Sequence, residues 1–577
     1  MAVPAHAGSF QVCQGGKPAP VRVARAPASA HRPRARGPLI LGALLATAAA
    51  AGCRTPDPVR EPTVVAAPAE PFPFEELARQ AGIADFQLPA RDDSLVGRLG
   101  HGAAVLDYNR DGKPDLVLTA AGRVALYRNQ SGFRFRPVEA GLPGGGHWTG
   151  VAVGDVENDG WPDLFLNGYG VAALYRNRNG RFEEVTREMG LVAAPRDRPD
   201  WGTSAGFADL DRDGWVDLVV CRFLETGPAP PPKCPTFRPG VLAVCPAPDA
   251  ARQSPRVYHN LRGGRFQEVT DAWGLRGGGG TLSIAIRHFE SHSGVTVAFG
   301  NELGPSELFV PVPGGWREAG AETGIGYDRD GGTRAVRSLH WGDLDRDGQP
   351  DLAMNTGAGA EKSLYRSLGD GSLEDLGWRW GLSGPGRQDE GFGSSLLDYD
   401  NDGALDLLMV GGSLDPNPAA LRPERTAEQP LRIFHATGIT FRRAAEGLPP
   451  FQGRSVATAD FDNDGGIDVI VTALDGPPRL LRNSAPRGNW LGIELEGVRT
   501  NRMGIGARVT VRSGGQAQSA EVQTAGGYLA AQDHRLLFGL GEAGIVEGIS
   551  VQWPGSRSPQ EFAVTPVNRW VRIRESL

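Results

Sequence analysis

Asp155-Val-Glu157-Asn-Asp159-Gly160-Trp-Pro-Asp163, with Val151-Ala-Val153 before it and Leu164-Phe-Leu166 after it, decides the fold of this 577-residue chain. Apolar triplets on both sides of a polar loop read as strand, tight turn, strand. The pattern recurs as Asp107-Tyr-Asn109-Arg-Asp111-Gly-Lys-Pro-Asp115, Asp209-Leu-Asp211-Arg-Asp213-Gly-Trp-Val-Asp217 and Asp343-Leu-Asp345-Arg-Asp347-Gly-Gln-Pro-Asp351. It returns twice more as Asp398-Tyr-Asp400-Asn-Asp402-Gly-Ala-Leu-Asp406 and Asp460-Phe-Asp462-Asn-Asp464-Gly-Gly-Ile-Asp468. The first Asp residues are spaced by 48, 54, 134, 55 and 62. The long gap holds an altered copy in which His288, Glu290, His292 and Thr296 take the acidic positions. That copy is expected to be metal-free, with a transition-metal site as the alternative.

A second element alternates with the first: Leu126-Tyr-Arg-Asn129, Leu174-Tyr-Arg-Asn177, Val257-Tyr-His-Asn260, Leu364-Tyr-Arg366, Ile433-Phe-His435 and Leu480-Leu-Arg-Asn483. Most copies run on into Phe and then Gly-Leu. Each unit of 48–62 residues thus offers about four short strands, and seven units predict an all-β chain built as a seven-bladed β-propeller over 73–484. A Pro/Cys-rich insert at 225–252 lengthens the third unit, and Phe74-Glu-Glu-Leu has the character of a final strand placed before the first loop.

Carboxylates at loop positions 1, 3, 5 and 9, with Gly at 6, converge oxygens on one centre. A hard oxygen set without Cys favours Ca²⁺. About six Ca²⁺ are expected, one in each of the six full loops quoted above, with Asn109 weakening the first. The second loop uses Glu157 at position 3. Together the six loops carry 23 carboxylates, whose mutual repulsion would disfavour the metal-free state.

The chain has a net charge of −7, and its first 52 residues hold six basic groups and no acid, which leaves −13 for the rest. Such an acidic body argues against nucleic acid as partner. Hydrophobic residues at 40% and charged residues at 22% exclude a disordered chain, a coiled coil and a polytopic membrane protein.

Arg22, Arg25, Arg32, Arg34 and Arg36 precede an apolar run that ends Ala50-Ala-Gly-Cys53. This reads as a lipoprotein signal peptide over 1–52, with Cys53 lipidated and 53–72 a Pro/Ala-rich tether. The chain is expected to be exported and lipid-anchored to the bacterial envelope, or secreted. Cys234 and Cys245 are close enough in sequence for a disulfide, and Cys221 reads as a buried strand thiol.

The Asp loops resemble FG-GAP/VCBS repeats, familiar from integrin α-chain propellers. The tail resembles the ASPIC and UnbV domain through Asn489-Trp490, Asn501-Arg502, Gly526-Gly527-Tyr528, Phe538-Gly-Leu-Gly541 and Trp553-Pro-Gly555. The pairing is typical of the cartilage acidic protein family and its bacterial members. That resemblance implies an extracellular calcium-stabilised propeller, with adhesion or ligand binding as its role. It implies no established reaction. Residues 485–577 alternate in strand fashion and predict a small antiparallel β-sandwich, in which Asn501-Arg502 and Gly526-Gly527-Tyr528 are read as turns.

Residues just upstream of the inner strands would ring the channel mouth opposite the calcium loops. They are His101, His147, Trp148, Trp201, Arg334, Arg337, Asp389, Glu390 and Arg454. One reading is a ligand-binding mouth for a protein or glycan. Another is an exported lyase, hydrolase or oxidoreductase with His101 or His147 in its site. A third is that these residues are turn and core filler. No nucleophile elbow or phosphate loop is apparent, and the sequence carries no signal of oligomeric state.

Overall fold

The computed structural model describes residues 71–86, 92–191, 199–225, 233–236, 238–244, 251–288, 294–357, 359–382 and 389–576. All of them fall within one unit, Ala66–Leu577. The leader, most of the tether, Cys53 and Cys245 lie outside the described residues.

Every Asp loop joins the first two strands of an antiparallel unit. In the second repeat these are Gly144–Gly154 and Asp163–Tyr169, followed by Ala172–Arg178 and Arg181–Glu184. Five sheets are separate and four-stranded, while the first two repeats share a seven-stranded sheet. They are fused by Asp115–Asn129, a long strand that pairs Ala121 with His147 and Arg123 with Gly144. The first strands of successive repeats neighbour one another in chain order, and Gly453–Ala459 comes back against Ala103–Leu106. The ring is closed by the start of the chain: Phe74–Glu76 adds antiparallel to Arg479–Asn483 as the outer strand of the last sheet.

The Asn of the second element ties one repeat to the repeat before it. Asn177 Nδ2 donates to Tyr108 O at 2.8 Å, Asn260 Nδ2 to Val156 O at 3.0 Å and Asn483 Nδ2 to Tyr399 O at 2.7 Å. Asn129 Nδ2 donates to Phe461 O at 2.8 Å and so crosses the closure point. These Asn side chains are almost wholly buried, where an unpaired amide would be costly, so each bond favours the sheet order observed.

The C-terminal domain consists of a three-stranded and a five-stranded sheet. It is not wholly antiparallel, as its sequence predicts, because Asn489–Glu496 and the final strand Arg569–Arg574 run parallel. The last strand re-enters beside the domain's first strand after the chain has built the other sheet.

Gly526-Gly527-Tyr528 is not a surface turn. The segment around it enters the centre of the ring. Gly527 N donates to Leu339 O, Ala531 N to Ala103 O, and Val105 N to Ala531 O. Leu529 N donates to Ser204 Oγ at 2.9 Å, and the Tyr528 hydroxyl donates to Leu99 O at 2.7 Å. Tyr528 and Leu529 pack with Leu95, Val96 and Leu99 of a short helix, with Trp201, Phe223, Leu282 and Phe392, and with Val244 of the insert. The axis of the ring is therefore an apolar core filled by its own chain. Tyr528→Ala is expected to cost roughly 3–5 kcal/mol in urea unfolding. Tyr528→Phe, which loses only the hydroxyl bond, should cost about 1 kcal/mol.

Candidate metal centres

One hydrogen-bond scheme repeats in the six Asp loops. The position-9 carboxylate reaches back to the second loop residue and sideways to the third strand. Asp163 accepts from Val156 N at 2.9 Å and Asn177 N at 2.7 Å; Asp468 accepts from Phe461 N at 2.9 Å and Asn483 N at 2.8 Å. The position-1 carboxylate closes the turn, as when Asp155 accepts from Asp159 N at 3.1 Å and Gly160 N at 2.6 Å. Asp159 Oδ1 then accepts from Trp161 N at 2.9 Å.

The backbone turns left-handed at position 6, where Gly160 has φ 86°, and also at position 4, where Asn158, Asn401 and Asn463 have φ 54–58°. Arg110, Arg212 and Arg346 hold the same strained conformation in the other loops. The sequence reading credits the turn to Gly alone and misses position 4, although Asn there is a usable cue.

The structure also sets a basic side chain against each loop, an Arg in four and a His, charged only when protonated, in two. Arg128 reaches Asp111 at 3.0 Å, Arg176 reaches Glu157 at 2.7 Å and Arg366 reaches Asp345 at 2.6 Å. Arg482 lies 3.5 Å from Asp462, His259 lies 3.0 Å from Asp217, and His435 lies 3.2 Å from Asp400. All six come from the Tyr-Arg-Asn element, which the sequence marks only as a strand. Its recurrence once after each Asp loop, always with a basic residue at the third place, is the signal that could have revealed the pairing.

One such side chain does not balance three or four carboxylates. Burial pushes Asp115 and Asp406 up to about 8, and Asp155, Asp209, Asp351 and Asp460 to about 7. Asp217 and Asp343 are raised to about 6 for the same reason. Asp343 Oδ1 and Asp462 Oδ1 are buried and accept no hydrogen bond. Asp209, Asp211 and Asp213 bring ligand oxygens within 4.8 Å of one another, as do Asp343, Asp345 and Asp347, and Asp398, Asp400 and Asp406. Orphaned carboxylate oxygens in converging oxygen sets fit a hard divalent cation. In the first loop Asn109 donates to Asp111 at 3.2 Å, so that loop is partly satisfied from within.

The altered repeat offers no such set among its described side chains. The Thr296 hydroxyl is buried without a hydrogen-bond partner where the other repeats have the position-9 Asp. Glu290, His292 and the His288 side chain lie outside the described residues.

The expected channel-mouth residues are engaged inside the protein. Arg454 is fully buried and donates to the carbonyls of Arg98, Gly453 and Ser413, with its guanidinium 3.8 Å from the centre of the Phe392 ring. Arg337 pairs with Glu302 at 2.7 Å, and Glu390 accepts from Leu414 N at 2.8 Å. Arg334 pairs with Asp375 at 2.8 Å, and Asp389 pairs with Arg432 at 2.5 Å. Trp201 is buried against Phe223 and Tyr169, and the Trp148 indole donates to Gly145 O at 2.6 Å. His101 and His147 sit side by side with ring centres 6.4 Å apart, and burial lowers His101 to about 4. His147 is half-buried and lies 3.6 Å from Asp92. Most of the polar residues expected at an open mouth are thus held in internal contacts around a filled axis, while His147 stays partly exposed beside Asp92. The sequence could not show that Leu95–Leu99 and Val244 pack over that end.

An all-β ring of repeated sheets carrying acidic loops is a propeller-type repeat protein. Its repeats match the FG-GAP-like repeat model at residues 107–166, 155–220 and 343–409, and residues 497–577 match the ASPIC and UnbV model. The chain thus carries FG-GAP-like repeats and a C-terminal ASPIC/UnbV domain.

Among solved structures, it is similar to a lectin of Agrocybe aegerita that recognises non-reducing terminal N-acetylglucosamine. That pair shares 15% identity over 65% of this chain and 86% of the lectin, with a TM-score of 0.35. BBS1N in complex with ARL6DN is similar at 10% identity over 69% of this chain and 96% of that one, with a TM-score of 0.40. A Lactobacillus plantarum protein is similar at 11% identity, covering 63% and 88%, with a TM-score of 0.36. No curated protein matches the chain.

The raised carboxyls fix a sign. Without metal, the folded chain holds protons that the unfolded chain releases from about pH 4 upward, so stability falls as pH rises towards 8. Thermal melts in chelator should show Tm dropping from pH 5 to pH 8. With calcium in excess that slope should flatten or reverse, because metal binding displaces the protons.

Proposed function

We propose that this protein is an exported, envelope-tethered binding module: a seven-bladed ring held by about six Ca²⁺ that presents its outer surface to a protein or glycan. The observation that carries this reading is the filled axis. Tyr528, Leu529, Leu95 and Leu99 occupy the space where an enzyme of this shape would hold its substrate. The proposed ligands of the ions are Asp107, Asn109, Asp111 and Asp115 in the first loop and the corresponding four side chains in the other five. Bound there, the metal supplies positive charge to buried carboxylates that otherwise repel one another. The role is structural and involves no chemical step.

The leader sequence supports export, with Cys53 lipidated and 53–72 as the tether. No described helix is long and apolar enough to cross a membrane. Cys234 is disulfide-bonded, and Cys245 is its proposed partner.

Elemental analysis of the purified mature protein should find five to six calcium per chain, and chelation should lower Tm by tens of degrees. About one stoichiometric copper, iron, manganese or zinc would instead favour an enzyme. Glycan arrays and envelope-protein blots should then return a saturable ligand whose binding survives Arg454→Lys. A turnover abolished by His101→Ala, with Tm unchanged, would overturn the binding reading.

A further inference from the structure

We propose that the metal loops are the seat of the C-terminal domain, so that calcium binding and insertion of the Thr524–Gln532 segment into the ring stabilise each other. This rests on the calcium reading above. The domain is then the plug of the propeller, fastened through the metal sites.

The domain grips the loops through their backbone and their position-4 side chains, and in the sixth loop also through ligand carboxylates, where Arg487 donates to Asp464 at 2.9 Å and the Trp570 indole to Asp460 at 3.3 Å. Arg502 donates to Asn158 twice, from its N to Oδ1 at 2.9 Å and from its guanidinium Nε to O at 3.4 Å, and the Arg508 guanidinium donates to Gly348 O at 2.6 Å. Arg535 donates to Asn463 Oδ1 at 2.9 Å, and Gly541 N donates to Asn401 O. In the third loop Gly214 passes so close to Arg499 O that a Cβ there would sit 2.7 Å from it. The first loop borders a cleft of about 250 Å³ whose far wall is Glu494, Arg502, His534 and Arg572.

Two features point to the metal-ordered loop as the thing recognised. First, Asn158, Asn401 and Asn463 make these contacts from the left-handed backbone conformation, which holds only while the loop is closed. Mutual repulsion of emptied carboxylates would open it. Second, the contacts change sign at the altered repeat. Where Asp loops stand, the domain offers Arg502, Arg508, Arg535 and backbone N–H groups. At the repeat without them it offers Glu521, which pairs with the buried Arg287 at 3.6 Å. The underside of the domain thus meets the second, fourth and sixth loops with basic groups and the altered repeat with a carboxylate, while Glu494 beside the first loop is paired with Arg572.

Linkage makes this testable without removing any proposed ligand, since two binding events that favour each other must do so equally. Calcium affinity is read by competition with a chromophoric chelator on the full mature chain. Arg502→Ala/Arg508→Ala should bind calcium roughly five-fold or more weakly. Glu521→Gln removes the pair with Arg287 of the altered repeat, which is not one of the loop contacts given above, and should weaken it in the same direction. Amide exchange should report the other half. Chelation should expose Gly527, Leu529 and Ala531 before the Leu164–Leu166 strand. Wild-type affinity in both variants, with circular dichroism unchanged, would overturn the proposal, as would segment and strand exchanging together. If one variant fails to fold, the other decides the affinity test. Failure of the wild-type chain to bind calcium would be seen in the first titration and would sink the calcium reading itself, a different outcome from unaltered affinity in the variants.

Discussion

One buried carboxylate in each of the six acidic repeats organises this molecule. The position-9 Asp is at most 2% exposed in all six loops and accepts from the loop's second residue and from the third strand. It therefore fixes where the loop begins and how the third strand registers against the second. Hydrogen bonding offsets part of its desolvation and still leaves a group that is raised when no cation is near. The repeat thus has strand geometry that depends on a charge, and the charge requires company. The Arg or His of the third strand gives some of it. The converging oxygens leave room for the rest.

From that unit the ring follows by short-range rules. Asn129, Asn177, Asn260 and Asn483 each span to the repeat before them, so neighbours are clamped pairwise. The other three repeats carry Pro311, Ser367 and Ala436 at that place. Small inner-strand residues such as Gly150, Gly206 and Gly393 let adjacent inner strands and the plug approach closely. The apolar cluster around Val151, Phe165 and Phe207 continues without a break into Ile505, Val522 and Val551 of the C-terminal domain. Ring and domain share one core.

The repeats, the strand–loop–strand unit and the two-part organisation were legible because they rest on local periodicity, and periodicity is what a sequence displays. The carboxylates at positions 1, 3, 5 and 9 were legible for the same reason. What stayed hidden depends on distant pairs. Arg454 looked like a ligand-binding group because its partners, the carbonyls of Arg98 and Ser413, have no side-chain signature. Tyr528 looked like a turn residue because two glycines precede it. The same glycines leave room beside the His340 ring on the way into the axis, since a Cβ on Gly527 would sit 3.2 Å from it. The parallel pairing of the last strand was hidden because alternation gives a strand's faces and says nothing of its direction.

The closure of the ring also imposes an order in time. Phe74 pairs with Asn483, some four hundred residues later, and Ala103 waits for Ala531. A chain made from its N-terminus leaves its first strand without a partner until nearly all the repeats exist. The apolar axis stays unsealed until the last domain is made. Contacts of such sequence separation slow folding and keep strand edges exposed meanwhile. The local loops, each complete within nine residues, are the parts that can form early, so the acidic turns serve as waypoints from which the long-range closure is assembled.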